Sequence, residues 1–228
     1  MKYNFLATLL LAVLLLELIL KISPLYGALA YFAAAAIALI AVSRLDPKYN
    51  NKKQIILLVA AVATINAASL FLPFNLFWKT LIAYSLLAFV SIFYSSVINH
   101  SKEEIKLKEV FWAVSATVIL GYAGMIVIGF EKNILLLAII PLIAFSEEYF
   151  FRGLLLNSAE RESGKETAVV FTAIFYGILC LGYGLMAAFF FFAMSLLFGL
   201  FYTRTRSLLF TMVLSAIIHV FLFAAPIS

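Results

Sequence analysis

Residues 134–157 read ILLLAIIPLIAFSEEYFFRGLLLN, an apolar run whose only charges are Glu147, Glu148 and Arg152. A transmembrane helix needs about 20 mostly apolar residues, so this run can cross a bilayer. Ionisable groups inside hydrocarbon are costly and rare, which makes those three the first functional candidates. Outward from this run the chain repeats the pattern at 4–22, 25–43, 55–72, 76–98, 110–130, 167–181, 185–202 and 207–225. Of 228 residues, 66% are hydrophobic and 12% charged, with a mean hydropathy of +1.13. Soluble domains are roughly half apolar and about a quarter charged. Alternating ten-residue segments of a membrane β-barrel do not appear. The expected fold is all-α: a polytopic transmembrane bundle of about nine helices. No low-complexity linker interrupts it, so the chain reads as one domain, with about four helices in 1–109 and about five in 110–228.

The weakest boundary lies near Leu181-Gly182-Tyr183-Gly184, where 167–202 can be read as one long helix or two. Charge parity favours two. With nine helices, twelve basic residues fall on one side of the membrane and three (Lys21, Lys79, Lys132) on the other. Cytoplasmic loops carry the Lys/Arg excess. This puts loops 44–54, 100–109, 158–166 and 203–206 in the cytoplasm, with the N-terminus in and the C-terminus out. The same placement explains the net charge of +5. The basic residues face anionic headgroups, so nucleic acid is not expected as a partner.

Lys2 and the run after it resemble a signal peptide, but the run is too long for an h-region and a second span follows at once. It is expected to be a retained helix. In it, Glu17 and Lys21 are four apart and are expected to pair near the interface. Cys180, the single cysteine, sits in an apolar run and reads as a small buried hydrophobe.

Spacing assigns roles around Glu147. Glu148 and Arg152 are four apart, stacked on one helix face and able to pair. Glu147 is turned from them by about 100°. Two carboxylates in unlike settings, one paired and one in apolar surroundings, are a recurring source of a general base. From the expected helix ends, Glu147 lies roughly 15 Å and His219 roughly 18 Å from the cytoplasmic side, at 1.5 Å per residue. A carboxylate and an imidazole at one depth can share a water. Other intramembrane chemistries lack their residues. Asp46 is the only aspartate, no HExxH occurs, and no Gly-x-Ser-Gly precedes a histidine. A zinc site needs about three or four good ligands. Only His100, His219 and Cys180 stand beside the carboxylates, so no metal or cofactor is expected.

Glu147-Glu148-x-x-x-Arg152 in a hydrophobic helix resembles the first motif of the CPBP family, the type II CAAX prenyl endopeptidases and Abi proteins. The likeness extends over 110–228, and Tyr202-Thr203-Arg204-Thr205-Arg206-Ser207-Leu208-Leu209 followed by His219 looks like the family's last section. The family pattern also has Phe-x-x-x-His and a final His-x-x-x-Asn. Here Phe175 leads to Leu179 at the histidine position, and His219 leads to Phe223 at the asparagine position.

The resemblance implies a CPBP-like core over 110–228 and a glutamate endopeptidase opening toward the cytoplasm, with Glu147, Glu148, Arg152 and His219 as catalytic residues. Its substrate would be a membrane-tethered peptide, with prenylated CAAX-type tails as one class. Separately from the resemblance, the expected location of this integral membrane chain is the plasma membrane. The two departures support an alternative of comparable weight: a catalytically inactive relative serving as a partner-binding or membrane-complex subunit. A transporter is a weaker third reading, since no inverted repeat is visible.

Overall fold

The computed structural model describes residues 2–46, 49–69, 75–93, 113–121, 124 and 134–224. His100, loop 100–109 and most of the span expected at 110–130 lie outside the described residues. Those described are helical almost throughout, with no strand among them. The helices are α1 (Lys2–Ile22), α2 (Pro24–Arg44), α3 (Asn50–Ser69), α4 (Leu76–Phe93), α5 (113–121), α6 (Ile134–Ala138) and α7 (Ile140–Glu148). A π-helical stretch, Tyr149–Leu156, joins α7 to α8 (Asn157–Ser163). Then come α9 (Lys165–Leu179), a 3₁₀ turn (Cys180–Tyr183), α10 (Leu185–Thr205) and α11 (Leu208–Ala224).

Among the described residues, five helical segments are long and apolar enough to cross a membrane: Asn4–Ile22, Pro24–Arg44, Asn50–Ser69, Lys165–Tyr183 and Leu185–Thr205. Two shorter apolar helices, Leu76–Ile92 and Leu208–Phe223, stand beside them. α1 and α2 turn large apolar side chains outward, among them Leu11, Leu15, Leu29 and Ile37. Water would penalise such a surface, whereas lipid tails solvate it. This is the anatomy of an integral membrane protein.

The stretch 167–202 is two helices. Gly184 separates them at φ +108, a conformation that side chains beyond glycine rarely adopt. α9 and α10 then pack along each other, drawn close at Gly177, where an added Cβ would come within 3.0 Å of Phe192 and 3.1 Å of the Ala188 carbonyl.

Several ends differ from the sequence expectation. The run expected to stop at 157 continues as α8 to Ser163, because Asn-Ser-Ala-Glu-Arg-Glu-Ser contains no helix breaker. Gly164, at φ +89, is what ends it. α3 starts at Asn50 because its polar first turn is helix-compatible. The run from 134 also turns at Ile139, just before Pro141, a residue without the N–H that a continuous helix requires.

Charged residues join the ends of several helices. Lys52 Nζ lies 3.5 Å from Glu162. Arg206, at φ 51, donates two hydrogen bonds to Glu160, at 2.8 and 2.6 Å. The start of α3, the end of α8 and the α10–α11 link therefore share one end of the bundle.

Candidate active site

Glu147 stands on the last turn of α7, just before the helix widens into its π-helical stretch. Wide turns of this kind are rare and occur often at functional sites. Ser146 anchors the turn, its hydroxyl 2.6 Å from the Leu142 carbonyl and 3.0 Å from the Tyr84 carbonyl of α4.

Adjacent residues on this helix face different neighbours, as the 100° rotation requires. Glu147 points to α4, α9 and α11. Its Oε1 accepts hydrogen bonds from the hydroxyls of Tyr84 (2.6 Å) and Tyr176 (2.7 Å). Its Oε2 lies 3.5 Å from His219 Nε2. The other ring nitrogen, Nδ1, is 2.8 Å from the Ser215 carbonyl. A carbonyl only accepts, so Nδ1 carries a proton there and Nε2 faces the carboxylate.

Glu148 turns away and meets Arg152 at 3.2 Å, with both side chains essentially sealed from solvent. Arg152 Nη2 also donates toward the Ser195 carbonyl and hydroxyl, each at 3.3 Å. The guanidinium carbon lies 5.9 Å from the Phe151 ring centroid and 5.6 Å from that of Phe198. Aromatic faces favour a cation at such range. This pair ties the π-helical stretch to α10.

A cavity of about 320 Å³ adjoins Glu147 and His219. Tyr84, Tyr176, Leu179 and Phe223 also line it, whereas Glu148 and Arg152 do not. The four residues singled out in the sequence thus divide. Glu147 and His219 meet at the cavity, and Glu148 and Arg152 form a buried pair behind it. Leu179 and Phe223, where the family pattern expects His and Asn, both reach the cavity, and the Phe223 ring lies 5.6 Å from that of His219.

Tyr84 and Tyr176 were not legible as site residues. The one available signal is a phenol in an otherwise apolar span, since a buried hydroxyl usually finds a partner.

Glu17 departs from its expected pairing with Lys21. It is 4% exposed and accepts hydrogen bonds from Tyr31 (2.7 Å) and Asn66 (3.2 Å), while Lys21 faces outward. Burying the carboxylate against two donors on α2 and α3 satisfies it better than one exposed ammonium would. Among the described residues, no three His, Cys, Asp or Glu side chains converge as a metal-binding group.

Residues 129–221 match the family model of Rce1-like type II CAAX prenyl endopeptidases. No curated protein and no solved structure matches the chain.

Proposed function

With residues 129–221 an Rce1-like segment of the CPBP family, we propose that the chain is a glutamate-dependent membrane endopeptidase for membrane-tethered peptides. One observation carries this reading: Glu147 Oε2 faces His219 Nε2 at 3.5 Å beside a cavity.

In the proposed reaction Glu147 takes a proton from a water, whose oxygen attacks the scissile carbonyl. The C–O bond forms, the C–N bond breaks, and the proton that Glu147 took from the water passes by way of His219 Nε2 to the leaving amine, which returns both groups to their starting state. Tyr84 and Tyr176 hold Glu147 through Oε1, each donating its one hydroxyl proton there. Glu148 and Arg152 act at one remove by fixing the helix that carries Glu147. In this reading the chain has about nine spans, an N-terminus in the cytoplasm and a place in the plasma membrane. Prenylated CAAX-type tails are one substrate class to try.

A second reading, a non-catalytic subunit, draws on Leu179 and Phe223. Both are apolar cavity residues, and neither can move a proton. Turnover by the purified protein is therefore expected to be slow. The test compares wild type with Glu147→Ala on a quenched membrane-peptide substrate. Slow cleavage that disappears in Glu147→Ala supports the endopeptidase. Identical traces from the two proteins overturn it in favour of the non-catalytic reading.

A further inference from the structure

The proposed reaction leaves the buried carboxylate of Glu17 without a role. An ionisable side chain inside a membrane helix is costly, which makes it a functional candidate. Glu17 Oε1 accepts hydrogen bonds from the Tyr31 hydroxyl of α2 (2.7 Å) and from Asn66 Nδ2 of α3 (3.2 Å). The packing that allows this is close. Gly27 of α2 rests directly on Leu20 of α1, where a Cβ would overlap it. Tyr31 follows one turn later on α2 and meets Glu17 one turn back on α1.

Asn66 carries the link to the cavity. Its Nδ2 also donates to the carbonyl of Leu179, the last residue of α9, at 3.4 Å. Both neighbours are acceptors, so the amide turns its nitrogen to them and engages both of its hydrogens. The final carbonyls of an α-helix lack partners within it and take donors from outside. Leu179 lies about one turn after Tyr176, whose hydroxyl is 2.7 Å from Glu147 Oε1. Asn66 and Leu179 line the cavity with Glu147, whereas Glu17 and Tyr31 do not. Contacts therefore run without a break from Glu17 through Asn66 and the end of α9 to Tyr176 and Glu147.

We propose that Glu17 is a positioning residue for the active site: by holding the Asn66 amide it anchors the end of α9 and keeps the Tyr176 hydroxyl on Glu147. This rests on the endopeptidase reading for what the alignment serves. Glu17 touches neither the cavity nor Glu147, so its loss acts on turnover through Asn66 and leaves substrate binding in place. A determinant of the site then stands on α1, outside the matched segment 129–221.

The test uses Glu17→Met, Glu17→Gln, Asn66→Ala and the Glu17→Met-Asn66→Ala double variant. Turnover is read on the quenched membrane-peptide substrate. Cys180, the chain's only cysteine, follows Leu179 and lines the cavity, so its alkylation rate with N-ethylmaleimide reports the end of α9 without turnover. Glu17→Met is expected to lower kcat roughly tenfold, the scale of one lost hydrogen bond. KM stays within about twofold, and Cys180 reacts several-fold faster. Glu17→Gln keeps an acceptor for both donors and stays near wild type on both readouts. Adding Glu17→Met to Asn66→Ala changes neither readout further, the mark of two residues acting as one. Asn66→Ala cuts the same link at its other end, so it is read in place of Glu17→Met if that variant does not fold. Unchanged kcat and alkylation in a folded variant would overturn the proposal. So would losses that add in the double variant, a loss in Glu17→Gln equal to that in Glu17→Met, or faster alkylation with unchanged Glu147-dependent kcat. If Cys180 responds as expected but Glu147→Ala cleaves no differently from wild type, the endopeptidase reading falls and the anchoring of α9 stands.

Discussion

Among the described residues Arg152 is the largest side chain sealed from solvent, and its charge is compensated by Glu148, the Ser195 oxygens and two aromatic rings. Removing one partner of a buried ion pair typically costs about 3–5 kcal/mol, because the other charge is left alone, whereas neutralising both can cost little. Arg152→Ala should therefore unfold at a lower temperature and give lower yield than Glu148→Gln-Arg152→Gln. Equal thermal melts of the two variants in detergent would show that the pair does not hold the helix. At the cavity, Leu179 and Phe223 predict the opposite kind of effect. Loss of one oxyanion donor costs about 10²–10³-fold in a serine protease, so restoring polar groups has room to act. Leu179→His with Phe223→Asn is expected to raise the cleavage rate at least tenfold over wild type, read on the quenched peptide. A rate at or below wild type in a folded double variant would show that polar groups at these two positions do not limit turnover.

Among elements, the turn between α9 and α10 sets the depth of the site, since Tyr176 and Leu179 lie on the last turn of α9 before it. Gly184 holds φ +108 with nothing crowding it, and nearby Gly182 has open space and no such dihedral. Forcing a side chain into a sparsely populated backbone region costs about 1–3 kcal/mol. Gly184→Ala should lower the melting temperature by several degrees, and Gly182→Ala should not. Equal melts would place the chain reversal elsewhere. This turn was readable from sequence because two glycines interrupt an apolar run and charge parity demands a reversal there. The Glu147-Glu148-x-x-x-Arg152 geometry was readable because neighbours on one helix have fixed angular relations. The tyrosine contacts were not. Tyr84 and Tyr176 meet Glu147 from 63 and 29 residues away, and no local period encodes which helices become neighbours. Glu17 shows the same limit from the other side. The i,i+4 rule offers it Lys21, but tertiary packing supplies Tyr31 and Asn66.

For the whole molecule, the helices of 1–109 and of 110–228 interlock. α1 packs on α9, α4 on α7, and α3 on α8. Asn66 bridges the Glu17 carboxylate and the Leu179 carbonyl, at 3.2 and 3.4 Å. Tyr84 reaches Glu147 from α4. Residues 110–228 expressed alone should then insert poorly or be degraded, and co-expression with 1–109 should restore a folded complex, as judged by detergent-extracted monodisperse yield. A stable, monodisperse C-terminal fragment on its own would show that these contacts are dispensable. The Tyr84–Glu147 bond gives this interlocking an evolutionary edge. The segment matched by the family model, 129–221, carries the recognisable motif but not every hydroxyl that its glutamate binds. Moved without α4, that segment would leave its glutamate without the Tyr84 hydroxyl. A change in α4 can alter the site without touching one motif letter, and a search that scores only the motif will class active and silent relatives together.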